Sequence, residues 1–168
     1  MTICLAASLV LAATYKLTAP AIEAQKTSQE RQALKDVLTQ ADRFKELHAG
    51  RFDYYEGLKD KISVGYILKA RAKGYSGNID MLVAIDANGT IQAIEVLSHQ
   101  ETPGLGSRIT EIKQGDKKPW FLEQFKGKFA AGLKMPDIQA ISGATISSAA
   151  VLEAVKKEAE DFLARLNK

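Results

Sequence analysis

The chain has 168 residues, 46% of them hydrophobic and 26% charged, enough for one compact domain with a core and an appendage beside it. Its 23 basic residues interleave with 20 acidic ones for a net charge of +3, and no basic stripe set with aromatics appears, which argues against nucleic acid as a partner. A lone cysteine, Cys4, and two well-separated histidines, His48 and His99, exclude a disulfide framework and iron–sulfur ligation and lack metal-ligand spacing, so any redox centre must be brought in from outside.

Residues 1–15 carry no charge and are rich in Ala, Leu, Val and Ile. As a helix rising ~1.5 Å per residue they reach about 22 Å, short of a hydrocarbon core of ~30 Å. Continuation through Leu17, Ala19 and Ile22 with Lys16 snorkelling, or further residues ahead of Met1, would make the segment long enough to span. A secretory signal peptide is the alternative, although no positive stretch precedes the apolar one, and a buried helix is the third. Residues 27–48 then read as an amphipathic helix, either separate or continuous with the first. Thr27 and Glu30 form a capping-box pattern, Leu34, Val37, Leu38, Ala41, Phe44 and Leu47 share a face, and Ala49-Gly50 ends it. His48 falls at the helix C-terminus, where a cation suits the macrodipole, and Arg31, Lys35, Asp36 and Asp42 read as a solvated face.

The period changes in the middle of the chain. Residues 61–73 and 79–86 are rich in β-branched and aliphatic side chains, and Ala87-Asn88-Gly89 is a hairpin signal into a strand over 90–98. Leu82-Val83 and Val96-Leu97 place apolar groups on both faces of this antiparallel sheet, so helices are expected on both sides. The loop His99-Gln100-Glu101-Thr102-Pro103-Gly104-Leu105-Gly106 leaves the sheet directly. Pro103 restricts the backbone, Gly104 and Gly106 permit unusual dihedrals and a close approach, and Leu105 offers an apolar surface to a planar ring. Glu101 and Thr102 can hydrogen-bond polar edges of a ligand, although Pro-Gly segments serve as plain turns as well. After Pro119, the near-helical spacing of Trp120, Phe121, Phe125 and Phe129 points to a helix packed on the sheet, and Lys117 and Lys118 read as solvated.

Ser142-Gly143-Ala144-Thr145, followed by Ile146, Ser147 and Ser148, leads into a helix over 149–168 with Leu152, Val155, Ala159, Phe162, Leu163 and Leu166 on one face. Ser147 or Ser148 is the expected N-cap. First-turn amides without intrahelical acceptors, at the positive end of the macrodipole, suit a phosphate held near Thr145, with Gly143 and Ala144 leaving room for it. Other nucleotide or hydrolase motifs fail. Gly104-Leu105-Gly106 lacks the third glycine and the βαβ setting of a dinucleotide fingerprint, no phosphate loop occurs, and neither Ser147 nor Ser148 sits in a nucleophile elbow.

Together the Ser142–Thr145 motif and the 99–106 loop resemble the two hallmarks of the FMN-binding domains in the Rnf and Nqr electron-transport complexes. The likeness extends over the apolar N-terminal segment, the Gly74-Tyr75-Ser76-Gly77 turn and Pro119-Trp120-Phe121, nearly the whole chain. One departure is Gln139, where the family has an aspartate three residues before the motif serine; Asp137 lies two positions earlier. The resemblance, strongest to the G subunit of the Rnf family, implies an α+β fold with three parts: a transmembrane anchor over 1–24, a linking amphipathic helix over 25–50 and an FMN-binding domain over 51–168. It implies FMN esterified through its phosphate to Thr145 by a flavin transferase, in a pocket formed by Ser142, Gly143, Ala144, Thr145, Ile146, Ser147 and Ser148 with Glu101, Thr102, Pro103, Gly104, Leu105 and Gly106. The implied role is an electron carrier between other Rnf subunits in an ion-translocating ferredoxin:NAD+ oxidoreductase. That places the chain in a prokaryotic inner membrane, in contact with lipid, with the flavin domain outside the cytoplasm. The alternatives are the C-type subunit of a sodium-translocating NADH:quinone oxidoreductase, a flavin-free docking subunit and a stand-alone flavin reductase.

Overall fold

The computed structural model describes residues 2–49 and 52–166, which fall into two compact units divided between residues 32 and 33. The first unit is helical. Helix α1 runs Thr2–Val37 through an internal Pro20, which removes one i to i−4 hydrogen bond from the ladder. Thr14, Thr18 and Thr27 turn their hydroxyls back onto carbonyls one turn earlier, Thr27 onto Glu23 at 3.0 Å. Thr27 is therefore inside a helix and caps nothing. Among the described residues no helix is long and apolar enough to cross a membrane. Of the expected anchor over 1–24 the structure shows the helix, in which Lys16 is the one charge before Glu23.

The second unit opens with the last turn of α1, and the sequence expectation of a helix through His48 is overturned here. The helix ends at Val37, and Phe44 and Leu47 lie on strand β1 (Arg43–Ala49). The Ala41 amide closes a turn onto Leu38 and the Asp42 amide bonds the Leu58 carbonyl, which starts a ladder where the apolar spacing alone continues a helix. Strand β2 (Phe52–Lys59) supplies the partner, with Phe44 opposite Gly57 and Leu47 opposite Tyr54. Gly57 has a packing reason: a Cβ there would overlap Leu38 Cδ2, so its absence lets the end of α1 seat on the strand. The Gly50 half of the expected Ala49-Gly50 stop lies outside the described residues.

His48 accordingly sits on a strand and not at a helix end. It faces Asp53 across the first hairpin, Nδ1 to Oδ1 2.7 Å, with both side chains exposed. The hydrogen bond to Asp53, reinforced by its charge, raises the His48 pKa above the ordinary imidazole value, and the same bond lowers that of Asp53. The pairing is complete while Asp53 is ionised and His48 protonated, and is lost as the pH rises through the raised His48 value. A proton NMR titration is expected to give a His48 midpoint above about 6.5, returning to that value in Asp53→Asn. An unchanged midpoint in the variant would remove the pair.

Strands β3 (Ile62–Lys73), β4 (Asn78–Ile85) and β5 (Ile91–His99) complete a five-stranded antiparallel meander in the order β1-β2-β3-β4-β5. The hairpin signal holds: Asp86 and Thr90 close the turn and Gly89 takes φ +82°. Because side chains alternate across a strand, adjacent residues Leu82 and Val83 serve two cores. Leu82 joins Ile67, Ala84 and Ala93 against Leu34, Val37 and Leu38 at the end of α1. Val83 joins Met81, Ile85 and Ile91 against the second layer, built from helix α2 (Trp120–Glu123) and helix α3 (Thr145–Leu166). The expectation of an α+β fold with helices on both sheet faces is met. Phe121 and Phe125 are wholly buried in this core and Trp120 packs against it, whereas Phe129 is 52% exposed, so the aromatic series is core only in part.

Candidate functional site

Antiparallel pairing brings the turn between β3 and β4 and the loop after β5 to one end of the sheet. Ile79 lies opposite His99, so the Gly74–Gly77 turn, closed by the Gly74 amide on the Gly77 carbonyl at 2.8 Å, stands beside residues 99–106. The start of α3 reaches the same place. Three segments distant in sequence thus enclose a cleft of about 430 Å³, lined by Tyr75, by Glu101, Thr102, Leu105 and Gly106, and by residues 143–147. Its volume lies within the range of about 300–1,000 Å³ usual for small-molecule sites. Other surface clefts are lined by charged side chains of both signs, such as Arg71, Lys73, Glu153, Lys156 and Glu160.

The hydroxyls near the motif have different employments. Helix α3 begins at Thr145, earlier than expected, which places Ser147 and Ser148 inside its first turn and not at its cap. Both are buried. Ser148 Oγ donates to the Ala144 carbonyl and accepts the Ile141 amide, each at 3.0 Å, so it fastens the approaching chain to the helix. Ser147 Oγ donates to Glu101 Oε2 at 2.5 Å. Thr145 is exposed, lines the cleft, and its hydroxyl makes no hydrogen bond among the described residues. Ser142 is exposed and lies off the cleft lining.

Backbone geometry prepares the same spot. The first helical bond of α3 is the Ser148 amide to the Ala144 carbonyl, so the amides of Thr145, Ile146 and Ser147 have no intrahelical acceptor. Gly143 reaches the helix with φ +79°, a conformation that favours glycine, and Leu105 lies against it. A free hydroxyl beside unengaged amides at the positive end of a 22-residue helix is a chemically apt seat for a phosphate ester. Tyr75, Leu105 and Ile146, all exposed beside it, offer apolar surface to a ring system.

Glu101 and Thr102, expected to offer hydrogen bonds to a ligand, both line the cleft and are also tied into the fold. The Thr102 hydroxyl is 3.0 Å from that of Ser76. Glu101 is only 6% exposed and its carboxylate is engaged internally, by Ser147 and by the Ser76 amide at 3.0 Å. Burial pushes its pKa up, but the Ser147 hydroxyl and the amides of Ser76, Gly77 and Tyr75 outweigh that and hold it below the usual carboxylate range. Pro103 and Gly104 are exposed and lie off the cleft lining; Gly104, at φ +76°, shapes the loop, and its amide is held by Ser107 Oγ. Gln139 and Asp137 are also off the lining, the first bridged through its backbone by the Gln124 side chain and the second accepting the Lys134 amide. Tyr75 is the lining residue that sequence reasoning did not single out. Its signal was an aromatic at the tip of a turn flanked by glycines, 72% exposed where an isolated tyrosine gains nothing from water.

A buried, fully bonded carboxylate and a free hydroxyl at a helix start make no general acid–base pair. The fold and cleft define a small α+β domain whose exposed helix start, with a free hydroxyl and unengaged amides, is suited to a phosphate-bearing ligand. Residues 74–160 match the family described as the FMN-binding domain. Over 94% of its length the chain is 32% identical to the G subunit of the proton-translocating ferredoxin:NAD(+) oxidoreductase complex of Clostridium ljungdahlii, spanning 84% of that protein. It is 33% identical to the G subunit of the ion-translocating oxidoreductase complex of Methanosarcina acetivorans, over 89% of this chain and 83% of the relative. The crystal structure of the C subunit of the Na(+)-translocating NADH-quinone reductase from Parabacteroides distasonis superposes with a TM-score of 0.54 at 26% identity, over 70% of this chain and 63% of that one, under two thirds of its length. The chain belongs to the FMN-binding domain family, among the G subunits of ion-translocating oxidoreductase complexes.

Proposed function

We propose that this chain is the electron-carrying subunit of a membrane-bound, ion-translocating ferredoxin:NAD+ oxidoreductase, with FMN held covalently by an ester between its phosphate and Thr145 Oγ1. The observation that carries the reading is the division of labour among the hydroxyls: those of Ser147 and Ser148 are spent inside the fold, and that of Thr145 is free at the cleft. Its family membership supplies the cofactor class, and the amides of Thr145, Ile146 and Ser147 supply donors for the phosphate oxygens. When bound, the flavin accepts and releases one or two electrons; the chain's part is to hold, orient and shield it. Coverage favours a G subunit over the C-type alternative, since the match to the Clostridium relative spans 84% of that protein and the C-type structure is spanned to 63%.

The reading includes a flavin transferase as maturation partner, the other subunits of the complex as redox partners, and a position against the membrane with the flavin domain outside the cytoplasm. Exposed Ile3, Leu9, Val10 and Leu11 on α1 give the chain apolar surface for lipid or a membrane-embedded subunit. The direct test is peptide mass spectrometry across residues 137–156 of material made with a flavin transferase. A gain equal to FMN less one water on the Thr145 peptide is expected; an unmodified Thr145 in assembled complex would sink the covalent carrier.

Leu105, 48% exposed on the cleft, is read as covering the flavin ring. Full burial of a leucine is worth about 1.5–3 kcal/mol, so Leu105→Ala is expected to cost the ring about 1 kcal/mol of contact and raise its accessibility to a soluble quencher while the ester retains it. An unchanged spectrum and quenching would take the loop out of the pocket.

A further inference from the structure

The most heavily bonded side chain at the cleft is one that the electron-carrier reading leaves without a task. Glu101 leaves the end of β5, turns inward, and meets all three walls of the site. Its Oε1 accepts the Ser76 amide, with the Tyr75 and Gly77 amides also contributing, and its Oε2 accepts the Ser147 hydroxyl. Glycines make the space for it: a Cβ at Gly74 would overlap Oε1, and one at Gly106 would overlap Oε2. No buried side-chain polar atom among the described residues is left without a partner. A carboxylate saturated in this way is not available to a ligand, yet it is fixed to the same helical turn that carries Thr145, two residues before Ser147. An amphipathic helix could be held by its apolar face alone, as Val151, Leu152 and Val155 hold α3 further along. A buried anion fastened to the first turn adds what apolar packing lacks, a fixed rotation and depth of that turn relative to the loops.

We propose that Glu101 is a positioning residue for flavin attachment: through Ser147 it locks the first turn of α3 against the Gly74–Gly77 turn, so that the Thr145 hydroxyl is presented in one orientation to the transferase. The proposal rests on the assignment of Thr145 as acceptor. In the step served, the Thr145 Oγ1–P bond forms as the P–O bond within the pyrophosphate of a flavin adenine dinucleotide breaks. AMP leaves, and the hydroxyl proton passes to the transferase or to water, with no change of oxidation state. Glu101 neither takes that proton nor touches the dinucleotide; its effect is transmitted by a hydroxyl hydrogen bond and two residues of helix.

The test uses the full chain as substrate of a purified flavin transferase with FAD, following attachment by the mass of the intact protein. Ser147→Ala removes the link and leaves both Glu101 and Thr145 in place; Glu101→Gln keeps the size and puts an amide where an oxygen accepted donors; Ser147→Thr keeps the hydroxyl. Expected are a fall of roughly tenfold or more in the kcat of attachment in Ser147→Ala and Glu101→Gln with little change in KM for this chain. The double variant should be no slower than the slower single one, and Ser147→Thr should recover most of the rate. Attachment to Ser147→Ala at the wild-type rate would overturn the proposal, as would an equal fall in Ser147→Thr. Failure of all three variants to fold, judged by circular dichroism, would also overturn it, because Glu101 would then hold the domain and not the acceptor. If the wild-type chain itself takes no flavin at Thr145, the electron-carrier reading fails first and is recognised by that control.

Discussion

Thr145→Val is expected to yield a folded protein with no attached flavin. Valine keeps the shape and the β-branch of threonine and removes only the oxygen, so the start of α3 is preserved. Thr145 is exposed and its hydroxyl supports nothing in the domain, which places the stability change within about 0.5 kcal/mol of zero. The effect on attachment is complete because an ester cannot form without the oxygen. Denatured protein should show no yellow fluorescence comigrating with its band, and the intact mass should be that of the bare chain. Ser142→Ala is the matched control, since Ser142 is exposed and off the cleft lining; it should retain flavin fully. Flavin carried by Thr145→Val would move the attachment point to another residue and would sever the link between this cleft and the cofactor.

That contrast was only half legible in the sequence. The string Ser142-Gly143-Ala144-Thr145 marked a threonine before a helix, and the 99–106 loop marked a second contributor, because glycine and proline announce backbone conformations that a reader can infer residue by residue. What the string could not give was the employment of each hydroxyl. Ser147 and Ser148 look like N-caps when the helix is judged from its apolar face, which begins late. In the fold the helix starts at Thr145, and two polar residues become internal braces. The same limitation explains β1. Residues 43–49 hold few β-branched side chains, and Phe44 and Leu47 extend the spacing of Leu34, Val37, Leu38 and Ala41, so local pattern favours a helix. The strand exists because Tyr54, Tyr55 and Gly57 of β2 supply a ladder and a place for Leu38, information that lies in pairing and not in period. By contrast β3, β4 and β5 were readable, since Asn88-Gly89 fixed their hairpin and the paired apolar residues Leu82-Val83 required cover on both faces.

The role of Glu101 was hidden for a related reason: an acidic residue next to Thr-Pro-Gly in a loop reads as a hydrogen-bond partner for a ligand, and only the three-dimensional approach of two glycines shows it buried. Gly106→Ala tests that packing from the other side. Gly106 is buried, and it does not adopt a left-handed backbone, so alanine meets no conformational penalty there; the obstacle is space alone. The new Cβ would overlap Glu101 Oε2, stand 2.8 Å from Ser147 Oγ and 2.9 Å from Glu101 Cβ. A carboxylate at the end of a free side chain would swing aside at little cost, but this one is buried and held by the Ser76 amide and the Ser147 hydroxyl. Moving it strands a buried donor, at about 1–3 kcal/mol, in addition to overpacking of about 1–3 kcal/mol. The expected loss is about 3 kcal/mol, a drop in Tm on the order of 10 °C. Gly104→Ala provides the contrast within the same loop: nothing stands near its Cβ, and the only cost is the positive φ of +76°, about 1 kcal/mol. The pH dependence separates a lost brace from general damage. Because hydrogen bonds hold the Glu101 pKa below its unfolded value near 4.3, its contribution is present above that value and lost as the pH falls through the lower folded one. Gly106→Ala, with the carboxylate displaced, should lose that segment of acid sensitivity, whereas Gly104→Ala should keep it. Equal stability and equal acid profiles in the two variants would mean that Gly106 makes no room for a buried carboxylate.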